Sequence, residues 1–154
     1  MLWGYHVRMT TNLSQNRKAR HDYEVLETFE AGIALQGTEV KSCRKHDVNL
    51  LDAHASVDGG ELWLHGAHIA PYSYGNRQNH EPRRPRRLLM HAKEIRRLKA
   101  AVETKGMTLV PLRIYLVKGR VKVELALARG RNVADHREDL RKRDSDREIR
   151  RLKG

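Results

Sequence analysis

The alternation of apolar residues along this chain predicts a mainly β fold: a small antiparallel barrel with short helices packed against it and a tail that is disordered on its own. Three observations carry this expectation. Tyr23, Val25, Phe29, Ala31, Ile33 and Leu35 occupy alternate positions, interrupted on that face only by Glu27, which is the period-two signature of a long, half-buried strand. Leu112, Ile114 and Leu116, followed by Val121, Val123, Leu125 and Leu127, repeat the pattern in two strands, 108–117 and 121–128, joined around Lys118-Gly119-Arg120. Residues 131–154 have no such period: nine basic and six acidic residues stand against Val133, Ala134, Leu140, Ile149 and Leu152. So few apolar groups do not offset an ordering entropy of about 1–2 kcal/mol per residue.

Residues 1–15 are a polar lead-in expected to be disordered, with Met9 as a second candidate start. Gly32, inside the first strand, suggests a bulge or bend. In GTEVKSCRK (37–45), Thr38 suits an N-cap, Glu39 suits the positive end of a helix, and Val40 and Cys43 fall on one face, so a short helix is expected. Asp58-Gly59-Gly60 favours left-handed backbone angles and makes 53–57 and 61–69 a hairpin. Residues 71–87 hold three of the four prolines and no hydrophobic period, which reads as an extended surface loop. A second helix runs from about His91 to Lys105 and is ended by Gly106, with Ile95, Leu98 and Val102 inward and Glu94 where a capping box wants its acid.

Five or so strands, with a helix after the first and another before the last pair, fit an OB-like barrel that limits exposed edges by closing its sheet. The expected organisation is a lead-in at 1–15, a barrel at 16–130 and a basic tail at 131–154. Glu138→Lys142, Asp139→Arg143 and Asp146→Arg150 are acid-to-base pairs at i, i+4, so the tail is primed to become helical against a partner.

The charge balance narrows the function. Lys and Arg number 31 against 19 acids, a formal net charge of +12, and such an excess suits a polyanion whose counterions are released on binding. No apolar run approaches the roughly 20 residues needed to span a bilayer, and the first residues lack the form of a signal peptide, so no membrane partner is expected. One cysteine, Cys43, forms no internal disulfide, and as a small reduced thiol in an apolar slot it suits the cytoplasm. Within 77–99, nine Lys or Arg face two acids, and arginine's planar fork matches phosphate oxygens. Phosphate contact by Arg83, Arg84, Arg86 and Arg87 is preferred over a merely solvated face.

Enzymatic readings find little support. There is no CxxC, HExxH, Walker loop or GxGxxG, so no metal, cofactor or catalytic residue is assigned, and His65 and His68 read as ordinary histidines rather than ligands. A metal-free ribonuclease leaves no fixed spacing and stays open as an alternative, as does a protein that binds or assembles ribosomal RNA.

Particular strings go further. NRKARHDYEVLETFEAGIALQGTEVKS (16–42), ELWLHGAHIAPYSYGNRQNHEPRRPRRLLMHAKEI (61–95), VKVELALARG (121–130) and DHREDLRKRDSDREIRR (135–151) resemble, in order and spacing, the SmpB family of SsrA-binding proteins. The resemblance implies an OB-like barrel that binds the tRNA-like domain of transfer-messenger RNA and brings it to stalled ribosomes. It further implies a tail that becomes helical in the vacant mRNA channel, and no reaction catalysed. The free chain is itself expected to be a monomer, from the loss of apolar period after Gly130. The resemblance places Glu39, Leu89, His91 and Lys122 at RNA contacts, with Asn16, Arg17, Lys18, Lys41 and Arg129 adding to the surface. Asp135, His136 and Arg137 match a tail triplet, and Arg141, Lys142, Arg143 and Arg147 are the further tail cations expected at the ribosome. Two places depart from the family pattern: Arg131-Asn132 and His136 stand where lysines are usual, which lowers the charge.

Each contact has a structural counterpart. Glu39 also suits a helix start, or accepts hydrogen bonds from base amino groups or a 2′-hydroxyl. Leu89 is equally at home in a core, and His91 is a cap or a ring for stacking.

Overall fold

Strand β2 (Tyr23–Ile33) is the axis on which the rest is assembled, and it forms where the alternation predicts. A computed structural model describes residues 9–73 and 78–130; residues 1–8 and the tail residues Asp135, His136, Arg137, Arg141, Lys142, Arg143 and Arg147 lie outside them. In chain order the elements are β1 (Thr10–Gln15), α1 (Arg17–Asp22), β2, α2 (Gly37–Arg44), β3 (Val48–Asn49), β4 (His54–Asp58), β5 (Glu61–His65), β6 (His68–Ile69), β7 (Arg86–Leu89), α3 (Ala92–Lys105), β8 (Thr108–Val117) and β9 (Arg120–Gly130).

Strands β8, β4, β5, β7, β2 and β9 are neighbours in that order, and β9 pairs back onto β8, so the antiparallel sheet closes into the expected barrel. β1 adds to the free part of β8, and β3 and β6 form a separate two-stranded sheet. Leu62, Leu64, Leu88, Ile114 and Leu125 fill the interior with essentially no exposed surface. Burial of each such side chain is worth about 1.5–3 kcal/mol. α3 closes the barrel with Ile95 and Leu98, and Gly106 ends it in the left-handed region, as expected.

The single alternating row read in β2 serves two clusters. A one-residue bulge falls at Leu26, between Val25 and Glu27, and not at Gly32. An inserted residue turns every following side chain to the other face of the sheet. Tyr23 and Val25 therefore pack outward with Ala19, Val110, Leu112 and Ala126 under α1, whereas Phe29, Ala31 and Ile33 belong to the barrel core. A matching register shift at Leu112, between Pro111 and Arg113, takes that leucine out of the row it shares in sequence with Ile114.

Other expectations are corrected. The lead-in is not disordered from Thr10 onward: Thr10–Gln15 pairs with Val117–Arg113. Residues 61–69 are not one strand, because Gly66 takes φ 78° and the chain leaves β5 to join the small sheet. The hairpin turn itself is as read, with Asp58 opposite Glu61 and both Gly59 and Gly60 at positive φ. The 71–87 segment is not wholly a loop, since Arg86 opens strand β7 between β5 and β2. Nor is the described part of the segment free. His80 is buried, its Nε2 lies 2.8 Å from the Ile69 carbonyl, and its Nδ1 lies 2.8 Å from the Thr38 hydroxyl. A carbonyl only accepts, so Nε2 carries a proton and donates to it, while Nδ1 is joined to the Thr38 hydroxyl. Thr38 is thus a tether for the loop rather than the N-cap of α2, a position that Gln36 occupies.

Candidate nucleic-acid interface

Two of the expected contact positions follow from the register of neighbouring strands. Gly32 in β2 faces Leu89 of β7 on one side and Lys122 of β9 on the other, so residues far apart in the chain form one row. Leu88 points into the barrel and is buried, and strand alternation therefore turns Leu89 outward, where it is 49% exposed. Leu89 is not a core residue. Gly32 allows this packing: a Cβ at that position would lie 3.3 Å from the Leu89 Cβ, tighter than ordinary contact. Leu89 and Lys122 line a groove of about 300 Å³ with Ile33, Leu35, Val40 and Arg120. An apolar floor beside two cations suits a ligand with flat apolar rings and negative charge. His91 follows Leu89 by two residues, exposed, and its side chain makes no capping hydrogen bond to α3. Its position leaves the ring open to a partner.

Glu39 does not face this solvent. It is fully buried, and its carboxylate is saturated from inside the protein. Oε1 accepts from Arg84 Nη2 at 2.5 Å and from the Gln36 backbone N–H at 2.7 Å. Oε2 accepts from Arg84 Nε at 3.1 Å and Arg86 Nε at 2.6 Å. Burial alone pushes the Glu39 carboxyl up. The hydrogen bonds from Arg84, the Gln36 N–H and Arg86, with the charge of Arg86, outweigh it and hold the group below its ordinary 4.5. Arg86 is equally buried and donates also to the carbonyls of Ala67 at 2.6 Å and Pro82 at 3.0 Å. Direct RNA contact by Glu39 and phosphate contact by Arg86 are therefore corrected: both groups are internal, and together they clamp α2 to β7. Arg84 is mostly engaged by the same carboxylate. Arg87 is half-exposed and lies 3.4 Å from Glu61, and exposed Arg83 donates to the Gly66 carbonyl at 3.4 Å. Next to the clamp, buried Cys43 has its thiol pushed up to about 12 by burial, so it is an un-ionised packing group.

A second set lies at the other end of β2. Asn16 is buried: its Oδ1 accepts from the Ala19 N–H at 3.2 Å, and its Nδ2 donates to the carbonyls of Leu50 and Pro111 at 3.2 and 3.1 Å. As the N-cap of α1 it is scaffold rather than contact surface, a correction to its expected role. What it orients is exposed: Arg17 and Lys18 project from the first turn, with Lys18 4.0 Å from Asp52. Arg17 lines a notch of about 290 Å³ with Asn12, Gln15, Arg20, Arg113 and Glu124. Exposed Arg129 pairs in register with Glu24 at this same end. At about 3.3 Å per residue, Glu24 and Gly32 are roughly 26 Å apart. Lys41 belongs to neither end; its ammonium sits 5.5 Å from the centre of the Tyr72 ring.

Sequence reading did not anticipate α1 or the buried His80. An Asn followed three residues later by an alanine amide is the only local signal for the first, and nothing local marks the second. His65, weighed as a metal ligand, stacks on His54 with ring centres 5.3 Å apart and lies 3.0 Å from the Ser56 hydroxyl.

Fold and surface together define a basic, closed β-barrel whose exposed cations and apolar groove suit a structured polyanion. The chain belongs to the SmpB family: the family model described as SmpB protein matches residues 13–154. It is 57% identical over 137 residues to the SsrA-binding protein of Desulforudis audaxviator, covering 89% of this chain and 90% of the relative. It is 56% identical over 149 residues to the SsrA-binding protein of Moorella thermoacetica, covering 96% and 94%. A solved chain from "tmRNA-SmpB: a journey to the center of the bacterial ribosome" aligns with a TM-score of 0.65 at 55% identity, over 78% of this chain and 85% of the other.

Proposed function

We propose that this chain binds the tRNA-like domain of transfer-messenger RNA and accompanies it to stalled ribosomes, acting in the cytoplasm as a monomer until it binds. Family membership and relatives bearing the name SsrA-binding protein support the reading. The observation that carries it to residues is the row Leu89–Gly32–Lys122, which offers an apolar contact and a cation side by side over one groove. Leu89 and His91 meet unstacked bases or sugar faces, and Lys122 meets the backbone. Arg17, Lys18 and Arg129, at the far end of β2, form a second basic surface. The chain leaves the barrel through Gly130, opposite Tyr23, at that same end. The tail, through Asp135, His136 and Arg137 and the cations Arg141, Lys142, Arg143 and Arg147, is proposed to enter the vacant mRNA channel. The barrel binds and presents RNA, and no bond is made or broken by the protein.

Capture of bound RNA from cells, followed by sequencing, tests the partner: transfer-messenger RNA is expected, and recovery of ribosomal RNA fragments alone overturns the reading. Time-dependent cleavage of the RNA, abolished by single histidine substitutions, would establish a nuclease instead. Ending the chain after Arg131 separates the two halves of the proposal. Affinity for the tRNA-like RNA is expected to change little, whereas peptide tagging on stalled ribosomes collapses.

A further inference from the structure

The basic run that dominates the middle of the sequence divides at β7. Arg84 and Arg86 turn inward to Glu39, and the last cations of the run lie along the outside of α3. Ile95 and Leu98 fix the helix's inner face, and Arg97 fixes its rotation. The Arg97 guanidinium donates to Glu27 Oε2 at 2.6 Å and lies 5.7 Å from the centre of the Phe29 ring, tying the helix to β2. With those positions fixed, Lys93, Arg96 and Lys99, three residues apart, stand together on the solvent side. All three are exposed, and none has an ion-pair partner among the described residues. Glu103 is the acid that ends the row. At 1.5 Å per residue the ridge is about 9 Å long.

We propose that Lys93, Arg96 and Lys99 form a phosphate-binding ridge for the same RNA that occupies the Leu89–Lys122 groove. Two observations select this occupant. The ridge presents like charge with no internal carboxylate to neutralise it, unlike Arg84, Arg86, Arg87 and Arg97. It is also continuous with the groove: Lys93 is four residues beyond Leu89, and α3 leads from the Gly32 end of β2 back toward Glu27. An RNA seated with a base against Leu89 can therefore lay its backbone along the helix. The inference rests on the RNA-binding reading above and adds the segment that follows the backbone.

The test uses the full chain and a transcript of the tRNA-like domain, with affinity measured across a salt series. Gln is close to Lys and Arg in helix propensity, so Lys93→Gln/Arg96→Gln/Lys99→Gln keeps α3, which circular dichroism checks. Each lost phosphate contact removes about 0.7–0.9 from the slope of log K against log salt, so the triple variant is expected to be shallower by about 2–3. Arg96→Gln alone accounts for about one third of that change. Lys105→Gln, on the same helix beyond Glu103, leaves the slope at the wild-type value. Leu89→Ala reads the groove separately, lowering affinity without changing the slope. An unchanged slope in the triple variant, or an equal change in Lys105→Gln, overturns the ridge. Loss in Leu89→Ala with none in the triple variant keeps the groove and overturns the ridge. Loss in the triple variant alone keeps the ridge as an RNA contact and removes the groove. Intact binding of the transcript with lost ribosome association overturns the shared occupant.

Discussion

Arg84 and Arg86 differ from Lys93, Arg96 and Lys99 in almost nothing but address. All belong to one basic stretch, yet Arg86 is wholly enclosed and the three α3 cations stand in water. The difference teaches that a cation's role is set by whether the fold supplies a carboxylate before a phosphate arrives. Glu39 reaches β7 from a helix more than forty residues earlier in the chain, and the two arginines close on it. A paired charge inside a protein is weak grounds for net stability, but breaking the pair is costly because the remaining charge is stranded. Lys93, Arg96 and Lys99 are exposed and have no such carboxylate among the described residues, so their removal is expected to cost the fold little.

The sharpest way to break this contrast is Arg86→Ala. It takes one donor from Glu39 Oε2, which keeps Arg84 and the Gln36 N–H as partners of its carboxylate, and leaves the buried Ala67 and Pro82 carbonyls short of a donor. A loss of about 2–4 kcal/mol is expected in denaturant unfolding, from buried carbonyls left unpaired and from the space the side chain vacates. A midpoint equal to wild type would put Arg86 in the same class as the surface cations. Arg86→Lys sharpens the comparison. Charge is kept but the fork that spans a carboxylate and two carbonyls is lost, and a smaller deficit of about 1–3 kcal/mol is expected in the same assay.

Acid titration examines Glu39 itself. Its folded value is depressed, so its stabilising contribution is fully present above the ordinary 4.5 and is lost as pH falls below that through the folded value. Unfolding free energies of wild type and Glu39→Gln should therefore converge as the pH drops below 4.5. Parallel curves across that window would show that the depression is absent. The smallest stability effect is expected at the other end of β2. Arg17→Gln with Lys18→Gln should change stability by no more than about 0.5 kcal/mol, since both side chains are exposed. RNA binding by that variant should still lose about 1–2 from its salt slope. A marked fall in melting temperature would mean that α1 depends on those charges and not on Asn16.

Much of the barrel was legible because it depends on local chemistry. Period-two rows gave β2, β8 and β9, Gly59-Gly60 gave the hairpin, and Ile95, Leu98 and Gly106 gave α3. What was misread shares a cause. The bulges at Leu26 and Leu112 leave no trace in an alternation count, because the inserted residue reassigns faces only when a partner strand fixes the register. β1 has no local signal because its pairing energy comes from β8, about a hundred residues away. Among site residues, Leu89 and Lys122 were found through family strings, and their adjacency came only from the register at Gly32.

By itself the sequence determined the class of this protein: charge of +12 calls for a polyanion, alternation calls for a barrel, and the ordered strings place the chain in its family. Those properties are sums or local patterns, and they survive without knowledge of which residues meet. Only the tertiary structure decided the fate of each charge. Whether Glu39, Asn16 and Arg86 face RNA or the interior depends on desolvation and on partners brought from distant segments. Electrostatic free energy in a folded chain is fixed by distance and burial, neither of which is a property of sequence order.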